Sequence, residues 1–392
     1  MPYKPNINEL LEKLQQSPND DKLLTQIAFY YMQHPDGNKD LEYFNKAYQV
    51  SPSIENTHNL ASWSYHEYGD KTALELQQQV LQKQPKSYYP YVAYAQMLAT
   101  ELEHFYSDCH FNKTINASDS ISYYQQIIQN YQLAIQKFSI APLAHQQRHC
   151  HLPSLLYHNR AWAMAMLSDY HQALNQLNKS EQLLNTAVQQ HFIDMPNQDM
   201  LADTMYKILL NKIRLYILLS REKVDRKKEA LQLIEQTKKH PNCDDIDIAD
   251  LYAQLGEYEL SYQTIIDKVD NIDESWQWIW YAIYQCNKEQ WQQLLRKNID
   301  NHLAYIEDLE QQNEQLQAEN DLVMLADNLS SIKSEQQQLE QKRYQLEYMS
   351  QPKPSDKIKH SLQHLHLGCL LFGCPLHGNN INDDNQYIFN RN

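Results

Sequence analysis

Near its C-terminal end the chain reads HLHLGCLLFGCPLHG, and this stretch holds the residue types with the most obvious chemistry. His364, His366, Cys369, Cys374 and His377 fall within residues 364–377. Imidazole and thiolate are the usual ligands of tetrahedral zinc, and turns are needed to make them converge. Gly368, Gly373 and Gly378, half of the chain's 6 glycines, each stand beside one of those side chains. The spacing argues the other way. C-x4-C and H-x-H replace the recurrent C-x2-C of zinc knuckles, and Leu365, Leu367, Leu370, Leu371 and Phe372 make the stretch strongly apolar. A tail that docks into a groove is therefore the first expectation and a zinc site the second. A redox pair or a lipidated cysteine ranks behind both.

A second cluster, HQQRHCHLPSLLYH, brings His145, His149, Cys150, His151 and His158 together. His145 and His149 are one helical turn apart, a spacing that can chelate a metal from one face. The H-E-x-x-H enzymes place a glutamate between their histidines as the general base, and here that acid is missing. A core-edge or solvated cluster is the simpler reading. His104, Cys109 and His110 lie farther up the chain, in an irregular stretch. Phosphate loop, nucleophile elbow and dinucleotide fingerprint are all missing from the sequence. The expectation is a binding protein, not an enzyme.

The elements that position these residues are helices. The chain has 392 residues with 6 Gly and 14 Pro, and glycine-poor chains of this length favour helices joined by polar turns. A formal charge of −15 disfavours nucleic acid and anionic membrane surfaces as partners, because both need a basic face. MPYKPNINELLEKLQQ lacks an apolar core for a secretory signal, and ILLNKIRLYILL is broken by Lys212 and Arg214. With 6 scattered cysteines, the composition is that of a soluble protein in a reducing, cytoplasmic compartment.

Pro52 and Pro85 stand 33 residues apart, and similar residues precede each. Before Pro52 come Leu24, Ile27, Ala28 and Tyr31, then Phe44 and Ala47, with Asp40 where a small residue is expected. Before Pro85 come Leu60 and Ala61, then Ala73 and Val80. HNRAWAMAMLSDYHQAL carries Ala161 and Ala173, and IADLYAQLGEYELSYQTII carries Ala249, Tyr252, Gly256 and Ser261 at matching spacing. YQLAIQKFSIA and KEALQLIEQTKKHP read as further second helices.

This pattern resembles the tetratricopeptide (TPR) repeat, a helix–turn–helix of 34 residues. Small residues let the paired helices approach, bulky ones plug the gap, and proline closes the second helix. The resemblance spans roughly residues 20–270 and implies an all-α fold, a right-handed α-solenoid of helix pairs that binds a protein or peptide partner in its concave groove. Polar residues on first helices are the groove candidates: Asn56, His58, Asn59, Asn159, Arg160 and Lys207. Asn159-Arg160 resembles the central pair of the carboxylate clamp found in some of these proteins, but the flanking lysines and asparagines are not at matching positions.

Four segments follow from this pattern. Residues 1–270 are the TPR-like solenoid, and 271–300 a Trp-rich cap containing Trp276, Trp278, Trp280 and Trp291. Residues 301–350 are a coiled coil or helical hairpin, and 351–392 a linker with the Cys/His tail. Leu309, Leu316 and Val323 form one heptad register, Leu325, Ile332, Leu339 and Leu346 another, out of phase with the first. Homodimerisation through 301–349 and a hairpin turning near Asp327-Asn328 are the two outcomes that pattern allows. The functional expectation is a peptide-binding scaffold without a cofactor. The alternative is a zinc-dependent metalloprotein or enzyme subunit using the C-terminal Cys/His set.

Overall fold

A computed structural model describes residues 6–34, 36–68, 72–107, 117–189, 198–222, 224–273, 275–319, 322–354 and 361–365. Among them the fold is all-α, a helical-repeat solenoid without a strand. In chain order the helices are α1 (Ile7–Gln16), α2 (Asp21–Gln33), α3 (Lys39–Val50), α4 (Ile54–Tyr68), α5 (Thr72–Gln82) and α6 (Tyr89–Ser107). Then come α7 (Ala117–Ser139), α8 (Leu143–Arg148), α9 (Leu152–Met166), α10 (Tyr170–Gln189), α11 (Gln198–Arg221) and α12 (Lys227–Thr237). The last are α13 (Asp245–Gln254), α14 (Tyr258–Ile265), α15 (Gln277–Cys286), α16 (Lys288–Glu319) and α17 (Leu322–Glu347).

The chain divides into two compact units, 1–215 together with 362–392, and 216–361. In the first, consecutive helices pack on one another from α1 to α7, and α9 then packs on α7 and α10. Local signals set the boundaries. Asp20 caps α2 by accepting from the amides of Lys22 and Leu23, satisfying donors that the first helical turn leaves open. Pro153 begins α9, where its missing N–H costs nothing. The small residues of the repeat pattern, Ala61, Ala73, Ala161 and Ala173, are buried where paired helices approach. Ser154 and Ser180 close the α9–α10 crossing reciprocally: each hydroxyl donates to the other's carbonyl, at 2.8 and 2.7 Å.

Two helices end alike. After α9 the chain turns at Ser168 with φ of 65°, and after α13 at Gly256 with φ of 80°. In both turns the left-handed residue and the one after it donate back into the helix: Ser168 to Ala165 and Asp169 to Met164, Gly256 to Ala253 and Glu257 to Tyr252.

In the second unit α12 to α15 continue the pairwise packing, and α16 and α17 lie against each other. Trp291 and Trp280 are buried in its core with Ile279, Ile283 and Leu295. The Trp291 indole donates to Gln351 Oε1 at 3.0 Å, and that of Trp280 to the Asp273 carbonyl at 3.2 Å. Along α16 and α17 the inward residues are Ile306, Leu309, Asn313, Asn328, Ile332 and Leu339, and His302 pairs with Glu335 between the helices. Asp327 and Asn328 lie inside α17, so the chain does not turn there; α16 ends at Glu319 and α17 begins at Leu322. Val323, which the first heptad register counts as a seam residue, is exposed. No helix among the described residues is long and apolar enough to cross a membrane.

Candidate functional site

Within the first unit, residues Leu362–Leu365 lie against α6, α7, α9 and α11, and side chains of α6, α9 and α11 bond to the backbone of Gln363 and Leu365. Asn159 on α9 accepts from the Leu365 amide and donates to the Leu365 carbonyl, each at 2.8 Å. Asn211 on α11 does the same for Gln363, at 2.9 and 2.8 Å. One primary amide thus offers a peptide unit the pair of hydrogen bonds that a neighbouring strand would give it. Two such amides hold alternate residues, as the two-residue period of extended chain requires.

The remaining polar atoms interlock around this pair. Gln96 on α6 donates from Nε2 to the Tyr131 hydroxyl at 2.7 Å and to the Leu365 carbonyl at 3.2 Å. Asn159 uses its second amide hydrogen on the same Tyr131 oxygen, at 3.3 Å. Having accepted from both amides, the Tyr131 hydroxyl donates to His364 Nε2 at 3.1 Å. Gln96 Nε2, a donor, also lies 3.2 Å from that nitrogen. The His364 ring rests against Trp162, centroids 4.8 Å apart, and more distantly against Tyr131. Leu362 and Leu365 are buried.

His158, one residue before Asn159, sits with Nε2 3.0 Å from both the Gln363 carbonyl and Asn211 Nδ2. Burial pulls its pKa down to about 4, partly opposed by the Gln363 carbonyl and assisted by the charge of Lys207. The ring is neutral at pH 7.

The other groove candidates are placed as follows. Asn56 donates to Asp21 at 2.9 Å and to the Ser51 carbonyl at 2.9 Å, and accepts from Thr25 at 3.1 Å, so it ties α2 to α4. His58 meets Gln77 Oε1 at 3.1 Å, and Gln77 donates onward to the Pro90 carbonyl at 2.9 Å. Burial lowers the His58 pKa to about 4, against the opposing effect of Gln77. Asn59 is buried, and its Nδ2 has no partner among the described residues. Arg160 reaches across to Gln176 on α10 at 3.0 Å, and burial lowers its pKa. Lys207 pairs with Asp203 one turn away at 2.7 Å.

Of the C-terminal Cys/His set, His364 is described above, and His366, Cys369, Cys374 and His377 lie outside the described residues. The second cluster is placed at the turn into α9. His145 Nε2 meets the Tyr88 hydroxyl at 3.0 Å, and the His145 and His149 rings are 4.6 Å apart. Burial lowers the His151 pKa to about 4 and raises that of the Cys150 thiol. Among the described residues, no group of three or more His, Cys, Asp or Glu is arranged to hold a metal ion.

Gln96, Tyr131, His158, Trp162 and Asn211 escape the sequence reading as ligand contacts. A signal existed for two of them: Gln96 in AYAQMLA and Asn211 in ILLNKI are lone amides inside apolar helical runs. A buried amide needs a partner, and neither run supplies one locally.

No family model matches the chain, and no curated protein matches it. Among solved structures it is similar to the assembly chaperone of RpL4 (Acl4, residues 1–338), over 73% of this chain and 98% of that one. The identity is 12% and the TM-score 0.22, a likeness too slight to carry any argument about the site.

Proposed function

We propose that this chain is a protein- or peptide-binding scaffold of the tetratricopeptide type, which holds an extended segment across the first helices of its repeats. The observation that carries the reading is the pair Asn159 and Asn211, each bonded to both the N–H and the C=O of one residue in an extended strand. A side-chain amide that merely stabilised the solenoid would bond to neighbouring helices, as Asn56 does. Here both amides are turned to a segment more than 150 residues away in sequence. Backbone clamps of this kind give affinity with little regard to side chains, and the flanking pockets add selectivity.

The test is a peptide array probed with the full chain carrying Gln363→Pro, which removes the amide that Asn211 accepts and so vacates the site. Peptides captured by that chain are expected to bind roughly 10- to 100-fold more weakly after Asn159→Ala or Asn211→Ala, the scale of one or two lost hydrogen bonds. Capture indifferent to both substitutions would remove the basis of the reading.

A further inference from the structure

We propose that the site selects an uncharged extended segment of pattern Leu-x-His-Leu in a partner protein, and that the chain's own Leu362–Leu365 is a resident copy which the partner must displace. The proposal rests on the peptide-binding reading and adds to it the identity of the ligand and the fact of competition.

The pattern follows from what each position meets. The residue at 363 is held through its backbone by Asn211, and its half-buried side chain has its Oε1 shut off from solvent without a bond among the described residues, so the position disfavours a charge and asks for no particular side chain. Position 364 enters a slot made by Trp162, Tyr131 and Gln96. The slot presents a flat apolar face and, opposite the ring nitrogen, one donor, the Tyr131 hydroxyl. It therefore asks for a planar ring with a hydrogen-bond acceptor at its far edge, which a neutral histidine supplies through Nε2. A lysine or arginine there would set donor against donor. Positions 362 and 365 are buried leucines, where a charge would be desolvated without a partner.

Charge is excluded by the surroundings as well. The groups seen to bond or stack on the segment among the described residues include three primary amides, a phenol, an indole and the neutral His158 ring. Lys207, the cation acting on His158, is engaged by Asp203. The resident segment meets every one of these requirements from within the same chain, and its clamped residues leave no backbone group of 363 or 365 for another strand. A partner strand and the resident strand cannot occupy the site together.

The probe is a fluorescent peptide with the sequence of residues 360–367, HSLQHLHL, measured by anisotropy against the full chain. A scrambled peptide of the same composition serves as the second probe. The full chain carrying Leu362→Asp and Leu365→Asp is expected to bind the first probe roughly tenfold or more tightly than the unaltered chain, and to prefer it to the scramble. Asn159→Ala added to that variant abolishes the binding. Equal affinity of the unaltered and altered chains would overturn the competition and leave the peptide-binding reading intact. Equal affinity for the two probes, still lost with Asn159→Ala, would overturn the pattern alone. No binding of either probe by any variant would take down the proposal and the reading it rests on. Should the double aspartate variant fail to fold by circular dichroism, the full chain with Gln363→Pro replaces it, with the same outcomes.

Discussion

Three histidines in the first unit, His58, His151 and His158, are pulled from 6.5 to about 4 by burial. Each is neutral in the fold and protonates readily once the chain unfolds, so acid favours the unfolded state. The stability they preserve is full above about pH 6.5 and is lost as pH falls from there through about 4. At pH 5 the loss is on the order of 2 kcal/mol per histidine. Urea titrations at pH 7.5, 6 and 5 should show it, and His151→Phe, which keeps a ring but cannot charge, should flatten the slope. At the same scale, Ser168 occupies the left-handed backbone region that Gly256 occupies in the matching turn. Ser168→Gly relieves a conformation that costs an L-residue about 1 kcal/mol, so the free energy of unfolding from a urea titration should rise by about that amount.

At the scale of elements, the register of the first helices is the organising fact. Gln96, Asn159 and Asn211 each stand two residues before a buried apolar residue, Leu98, Ala161 and Ile213 respectively, and all three reach the extended segment. Asn59 stands in the same place before Ala61, preceded by His58 as Asn159 is by His158. Its buried Nδ2 bonds to nothing among the described residues. An orphaned buried donor costs roughly 1–3 kcal/mol, so Asn59→Leu should stabilise the chain by about 1 kcal/mol in urea unfolding. Destabilisation would show the amide to be satisfied in solution. Ser154 and Ser180 offer a second check. Because their hydroxyls act as one unit, the two alanine substitutions together should cost less than the sum of each alone, with a coupling of about 0.5–1 kcal/mol.

Helix pairing was legible in the sequence because it rests on small residues at fixed offsets. Ala61 with Ala73, Ala161 with Ala173, and Ala249 with Ser261 are all buried as their spacing demands. That α17 runs unbroken through Asp327-Asn328 was not legible, since Asp and Asn are weak helix formers and propensity alone marks the pair as a turn. Asn159 drew notice by a clamp resemblance built for a chain-end carboxylate, whereas its amide meets the interior peptide unit of Leu365. Asn211 and Gln96 needed the third dimension. Their partners lie 152 and 269 residues away, and no local pattern joins positions so distant.

For the molecule as a whole, the segment and the site that holds it belong to one covalent chain, which gives a direct test. The amides of Gln363 and Leu365, each held by a buried asparagine, should exchange with deuterium slowly, and their protection should not change with protein concentration. Protection that grew on concentrating the sample would mean that copies trade their segments. A tethered strand also competes at a fixed local concentration, on the order of 1 mM for a flexible connection. If the free segment bound with a Kd of about 10 μM, its own site would be about 99% filled, and a stranger of equal affinity would look about a hundredfold weaker. The Leu362–Leu365 strand would then set a threshold: weak encounters go unanswered, and only a ligand that binds several contacts beyond the four-residue core registers at all.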